Sequence, residues 1–143
     1  MDENYIQSLN TEEKLVFLKL FCKMVRADGV LEGGEIDFLK AVARRYGIDN
    51  ATMVNVIKNA GNIDIIAEAA KITNRSHALQ LIKELCVLAN IDQDLHDTEL
   101  DIVIDAARAM NVEDDKVVLI NRYVLDSMIL AKTGEIILEQ END

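Results

Sequence analysis

Asp28-Gly29-Val30-Leu31-Glu32-Gly33-Gly34-Glu35 and, 64 residues further on, Asp92-Gln93-Asp94-Leu95-His96-Asp97-Thr98-Glu99 are two versions of one acidic stretch, each set between segments of similar apolar helical pattern. Aligned without gaps, residues 15–48 and 79–112 share nine identities in 34 positions, among them Cys22/Cys86, Asp28/Asp92, Glu35/Glu99 and Arg44/Arg108. Agreement at one fixed offset marks a duplicated helix–acidic loop–helix unit. The predicted fold is therefore all-α: a single compact domain of about seven helices spanning 1–143. Its repeat units, roughly 10–48 and 74–112, are expected to be related by pseudo-twofold symmetry.

Local signals place the helices. Asn10 with Glu13 three residues later is a capping-box pattern, and Asn74 is its counterpart. The first helix is expected to run to about Ala27 and break at Asp28-Gly29. The second turns Ile36, Leu39, Val42, Ala43 and Tyr46 inward and stops at Gly47. In the second copy the helices cover about 75–91 and 98–110, with Leu100, Val103, Ile104, Ala107 and Met110 facing in. Asn111 stands where Gly47 stood, as the usual substitute at positive φ. Residues 51–60 and 63–72 read as two short connecting helices. A last helix begins after the acids Glu113-Asp114-Asp115, which suit a positive helix N-terminus, and ends near Lys132, with Gly134 interrupting it. The apolar tail Glu135-Ile136-Ile137-Leu138 either packs back on the domain, which is the expectation, or forms a partner contact such as a homodimer through the C-terminal segment.

Composition narrows the function. A chain of 143 residues buries roughly two thirds of its unfolded surface, and the absence of proline with few aromatics favours helices over sheet. A net charge of −11 argues against a phosphate backbone as partner, because the Lys and Arg residues that would release counterions lie among acids. Basic protein surfaces or divalent cations are better candidates. No apolar run approaches the ~20 residues of a membrane span, and the N-terminus lacks a signal-peptide pattern, so no membrane role and a cytoplasmic location are expected. Cys22 and Cys86 each lie on an apolar stripe at helical spacing and are predicted to be buried on equivalent inner faces.

Asp28-Gly29 with Glu35 has the spacing of the latter half of an EF-hand loop. The first half is missing, since the earliest ligand positions fall on Met24 and Arg26. In the second copy they fall on Leu88 and Asn90, with Gln93 in place of the glycine. A turn-and-cap role needs no ligand: Asp28 and Asp92 accept loop N–H groups, Leu31 and Leu95 plug the core, and Glu35 and Glu99 suit the first turn of the next helix. If a divalent cation binds weakly or between the loops, its ligands would come from Asp28, Glu35, Asp92, Asp94, Asp97 and Glu99, the second loop being the richer. His96 adds a nitrogen that calcium ignores and zinc accepts. His77 has no sequence neighbour that suggests a role, and Arg44 and Arg108 are expected in structural ion pairs. Phosphate loops, zinc-protease motifs, Cys-x-x-Cys pairs and nucleophile elbows are all missing from the sequence.

The run Ala27-Asp28-Gly29-Val30-Leu31-x-x-x-Glu35, followed by an apolar helix ending Tyr46-Gly47-Ile48, resembles the signature of the TerB-like tellurite-resistance family. Asp92-x-x-Leu95-His96-x-x-Glu99 is similar to the repeat that family carries. The resemblance covers roughly residues 10–130 and implies a compact helical domain linked to tellurite and other stress, with acidic positions on Asp28, Glu35, Asp92 and Glu99 associated with metal. The chain departs from the pattern at Gly33-Gly34 and Gln93. The reading is a non-enzymatic acidic interaction or cation-responsive module without a firm cofactor. The alternative is a protein–protein adaptor that uses the acidic face or apolar tail and binds no ion.

Overall fold

The computed structural model describes residues 4–26, 33–91 and 97–141. Among them the protein is all-α, with helices α1 (Tyr5–Ser8), α2 (Thr11–Val25), α3 (Gly33–Tyr46), α4 (Asn50–Lys58), α5 (Ile65–Ala69), α6 (Arg75–Asn90), α7 (Asp97–Ala109) and α8 (Asp114–Glu141), plus a single 3-10 turn at Ala60–Asn62. The eighth α-helix, against an expected seven or so, is the single turn α1.

The starts of α2, α4, α5 and α6 each carry a side-chain cap. Asn10 accepts from the Glu13 amide at 2.8 Å while Glu13 Oε1 accepts from the Asn10 amide at 2.9 Å, completing the capping box. Asp49, Asp64 and Asn74 accept from the amides of Thr52, Ala67 and His77 at 2.7, 3.1 and 3.1 Å. The stops of α3 and α7 also share a geometry. Gly47 (φ 71°) and Asn111 (φ 60°) hold the left-handed position. In both, the following amide reaches back five residues, Ile48 to Ala43 O and Val112 to Ala107 O, each at 2.8 Å. These are Schellman turns, which satisfy carbonyls a helix end leaves open.

The two longest buried faces, on α2 and α6, pack against each other at the centre. Phe17, Leu18, Leu20, Leu81, Ile82 and Leu85 are essentially inaccessible there. Helix α3 lies on α2 as α7 lies on α6; α5 bridges α2 and α7, and α8 lies along α6. Cys22 and Cys86 are both buried free thiols, as their stripes predicted. A small aromatic cluster closes the α1–α2–α3 side: Phe17 meets Tyr46 at a tilt and Phe21 meets it edge-on, and the Tyr5 and Tyr46 hydroxyls are 2.8 Å apart. Burial pushes Tyr5 up to about 12 despite its bond to Tyr46.

Two expectations are corrected. Helix α8 does not end near Lys132; it continues unbroken through Gly134 to Glu141. A glycine in an exposed helix costs ~1 kcal/mol relative to alanine, too little to stop a helix flanked by Leu130, Ala131, Lys132 and Glu135. Leu100 does not face the core but is 40% exposed. The buried stripe of α7 is centred on Val103, Ala106, Ala107 and Met110, with Ile102 beside it and Ile104 half-buried, so Leu100 falls on its outer edge.

Candidate functional site

The predicted acidic positions are only partly in view. Glu35 is half-buried in the first turn of α3, Asp97 opens α7, and Glu99 is half-buried two residues later. Asp28, Asp92 and Asp94 lie outside the described residues, as do Leu31, Leu95 and His96. Among the described residues no group of three or more His, Cys, Asp and Glu is placed to hold a metal ion. Arg108 meets the expectation of an ion pair, with Asp114 at 3.3 Å; for Arg44 no ion pair occurs among the described residues.

His77, which had no sequence neighbour to suggest a role, is tied on both ring nitrogens. Nδ1 lies 2.6 Å from Glu13 Oε2, and Nε2 lies 3.0 Å from Ser8 Oγ. Glu13 is buried, so the contact locks the start of α6 to the start of α2 with little water to compete. The Ser8 hydroxyl also donates to the Tyr5 carbonyl at 2.6 Å, so the three side chains fasten the end of α1 to the starts of α2 and α6. In the sequence, residues 13 and 77 stand at the same offset of 64 that separates the two acidic stretches.

A second tie joins α2 to α5: Lys19 Nζ and Lys71 Nζ both lie 3.1 Å from the Glu68 carboxylate. Burial opposes the charge on Glu68, but the hydrogen bonds from Lys19 and Lys71 outweigh it and hold its carboxyl below the ordinary range. Arg75 closes the far end of the domain, donating to the Asn111 carbonyl at 3.1 Å and to Glu113 at 2.7 Å.

The feature that stands apart is α8. Its first half packs through Val117, Val124 and Met128, and beyond Met128 no described residue is buried. Yet Leu119, Tyr123, Ile129, Leu130, Ile137 and Leu138 are all more than half exposed. Clefts flank the packed half on both sides. One, of about 370 Å³ between α6 and α8, is lined by Leu79, Lys83, Lys116, Leu119, Ile120 and Tyr123, and Gln80 on its wall keeps a buried Oε1 without a hydrogen-bond partner. The other, of about 330 Å³, is more apolar and is lined by Cys86, Leu100, Val103, Val117 and Val118. The tail thus does not pack back on the domain as expected, because it is the continuation of an unbroken helix. Among the described residues no helix is long and apolar enough to cross a membrane.

No protein-family model matches the chain, and the searches of curated proteins and solved structures return no significant match.

Proposed function

We propose that this chain is a non-enzymatic protein-interaction module of TerB-like type whose binding surface is the exposed apolar length of α8. The TerB-like part rests on the acidic motif at Asp28–Glu35 and its echo at Asp92–Glu99. The interaction part rests on α8: of the exposed large apolar side chains among the described residues, eight of twelve sit on this helix. Proteins that act alone rarely expose contiguous apolar patches beyond a few hundred Å², and a helix apolar on most of its circumference is stable when covered. Such a surface serves recognition, and the tied, capped domain beneath it serves as its rigid mount.

The test is affinity capture from native lysate by the wild-type chain and by an Ile129→Glu/Leu130→Glu variant, each with and without divalent metal. Loss of the captured proteins in the variant, irrespective of metal, supports the reading. The same proteins bound by both, or capture only when metal is added, overturns it.

A further inference from the structure

The cleft between α6 and α8 and the free half of α8 are complementary in shape, polarity and charge. In a chain of net charge −11, the cleft presents two lysines, Lys83 and Lys116, above an apolar floor that includes Leu79, Leu119 and Tyr123. Its natural occupant is an apolar helix that carries acids. The free half of α8 is such a helix, with Ile137 and Leu138 exposed beside Glu135 and Glu139. It cannot reach its own cleft. At 1.5 Å per residue, Leu138 lies ~27 Å along the axis from Ile120, and the helix between them is unbroken.

We propose that the free half of α8 from one copy docks in the α6–α8 cleft of a second copy, and reciprocally, to give an antiparallel twofold dimer. The inference rests on the reading of α8 as an interaction surface and names its partner. The spacing of Leu119, Tyr123, Asp126, Leu130, Gly134 and Ile137, in steps of four, three, four, four and three, forms one stripe along the helix. Antiparallel pairing centred near residue 128 sets Leu119 against Ile137 of the second copy and the bulky Tyr123 against Gly134, where open space surrounds the missing side chain. Asp126 interrupts the stripe near the axis, accompanied to its rim by Arg122 at 3.8 Å. The same register lays the glutamates of one copy over the lysines of the other, while a parallel pair would set glutamates on glutamates. Because each copy gives one tail and one cleft, the contact is isologous and closes at two. A strip ~40 Å long and ~10 Å wide is below the usual size of stable protein interfaces, so the dimer is a weak, reversible one.

The experiment is the molar mass of the full chain in solution, by light scattering or sedimentation across a concentration series, for wild type, Lys83→Glu/Lys116→Glu and Glu135→Lys/Glu139→Lys. Wild type is expected at twice 16.0 kDa at the upper concentrations. Each charge-reversed variant is expected to dissociate about tenfold more readily or worse, with helix content unchanged. Mixing the two variants is expected to restore the dimer, because each reversed cleft then meets a reversed tail. A monomeric wild type at about 100 μM, a dimer indifferent to both reversals, or a mixture that stays monomeric overturns the proposal. A monomer removes only the self-pairing; the α8 interaction surface falls separately, if the Ile129→Glu/Leu130→Glu variant captures the same lysate proteins as wild type.

Discussion

Glu13 and His77 occupy the third position of their respective helices, 64 residues apart, and meet across the α2–α6 contact at 2.6 Å. The same carboxylate also receives the Asn10 amide, so one buried side chain caps its own helix and anchors the next. Glu13→Ala is expected to lower stability by about 2–3 kcal/mol, combining a lost cap with an unpaired buried partner. In a double-mutant cycle with Glu13→Gln and His77→Gln, denaturant midpoints should report a coupling of about 1 kcal/mol or more. Additive single effects would show that the contact does not join the helices.

Glu68 sets an acid limit. Its folded carboxyl is held below the ordinary value, so the stabilisation from Lys19 and Lys71 is fully present above the unfolded pKa, about 4.3, and is lost as pH falls through the folded value. Asp49 and Glu113 shift in the same direction, through hydrogen bonds from Thr52 and Arg75 respectively. Glu68→Gln should cost about 1–2 kcal/mol at pH 7, and the gap to wild type should narrow near pH 3. A gap of constant size across that range would contradict the ion-pair assignment.

The two cysteines are expected to be inert while the domain is folded. Burial pushes the Cys86 thiol up to about 12 and raises Cys22 as well, so neither supplies thiolate at neutral pH. Reaction with a chromogenic disulfide reagent should be slow in buffer and complete in denaturant. Its rate in buffer should follow global unfolding. Rapid labelling of either thiol in the native protein would rule out the packing described for α2 and α6.

At the left-handed helix stops, Gly47→Ala should destabilise by about 1–2 kcal/mol, the cost of placing a Cβ at positive φ. Asn111→Gly should be neutral or stabilising, and Asn111→Ala destabilising by about 0.5–1 kcal/mol. Thermal midpoints of the three variants would reverse this order if the turns were not Schellman turns in solution.

What could be read in advance was local. Caps at Asn10 and Asn74 and stops at Gly47 and Asn111 are decided by backbone groups within a few residues, and these placed the ends of α2, α3, α6 and α7 to within a residue or two. The 64-residue offset reappears in their limits: α2 and α6 start at Thr11 and Arg75, α3 and α7 at Gly33 and Asp97. Tertiary relationships were not legible. His77 has no sequence neighbour that points to Glu13, and Leu100 sits at a helical spacing that fits two stripe orientations equally well until α5 and α6 select one. Glycine is a poor helix former and so suggests a break at Gly134, but its cost is smaller than the gain from the residues around it. Of the acidic positions, Glu35 and Glu99 stand at the helix starts their spacing indicated; the loops that precede them are outside the described residues.

Helix α8 is one continuous helix that packs on the domain only along its first half. Its tip at Glu141 stands ~20 Å beyond Met128, so a tilt of about 10° of the packed half would swing the tip by about 3 Å. Small adjustments around Val117 and Val124, deep in the body of the domain, would be magnified at the far end of the helix, where the outermost apolar side chains are carried.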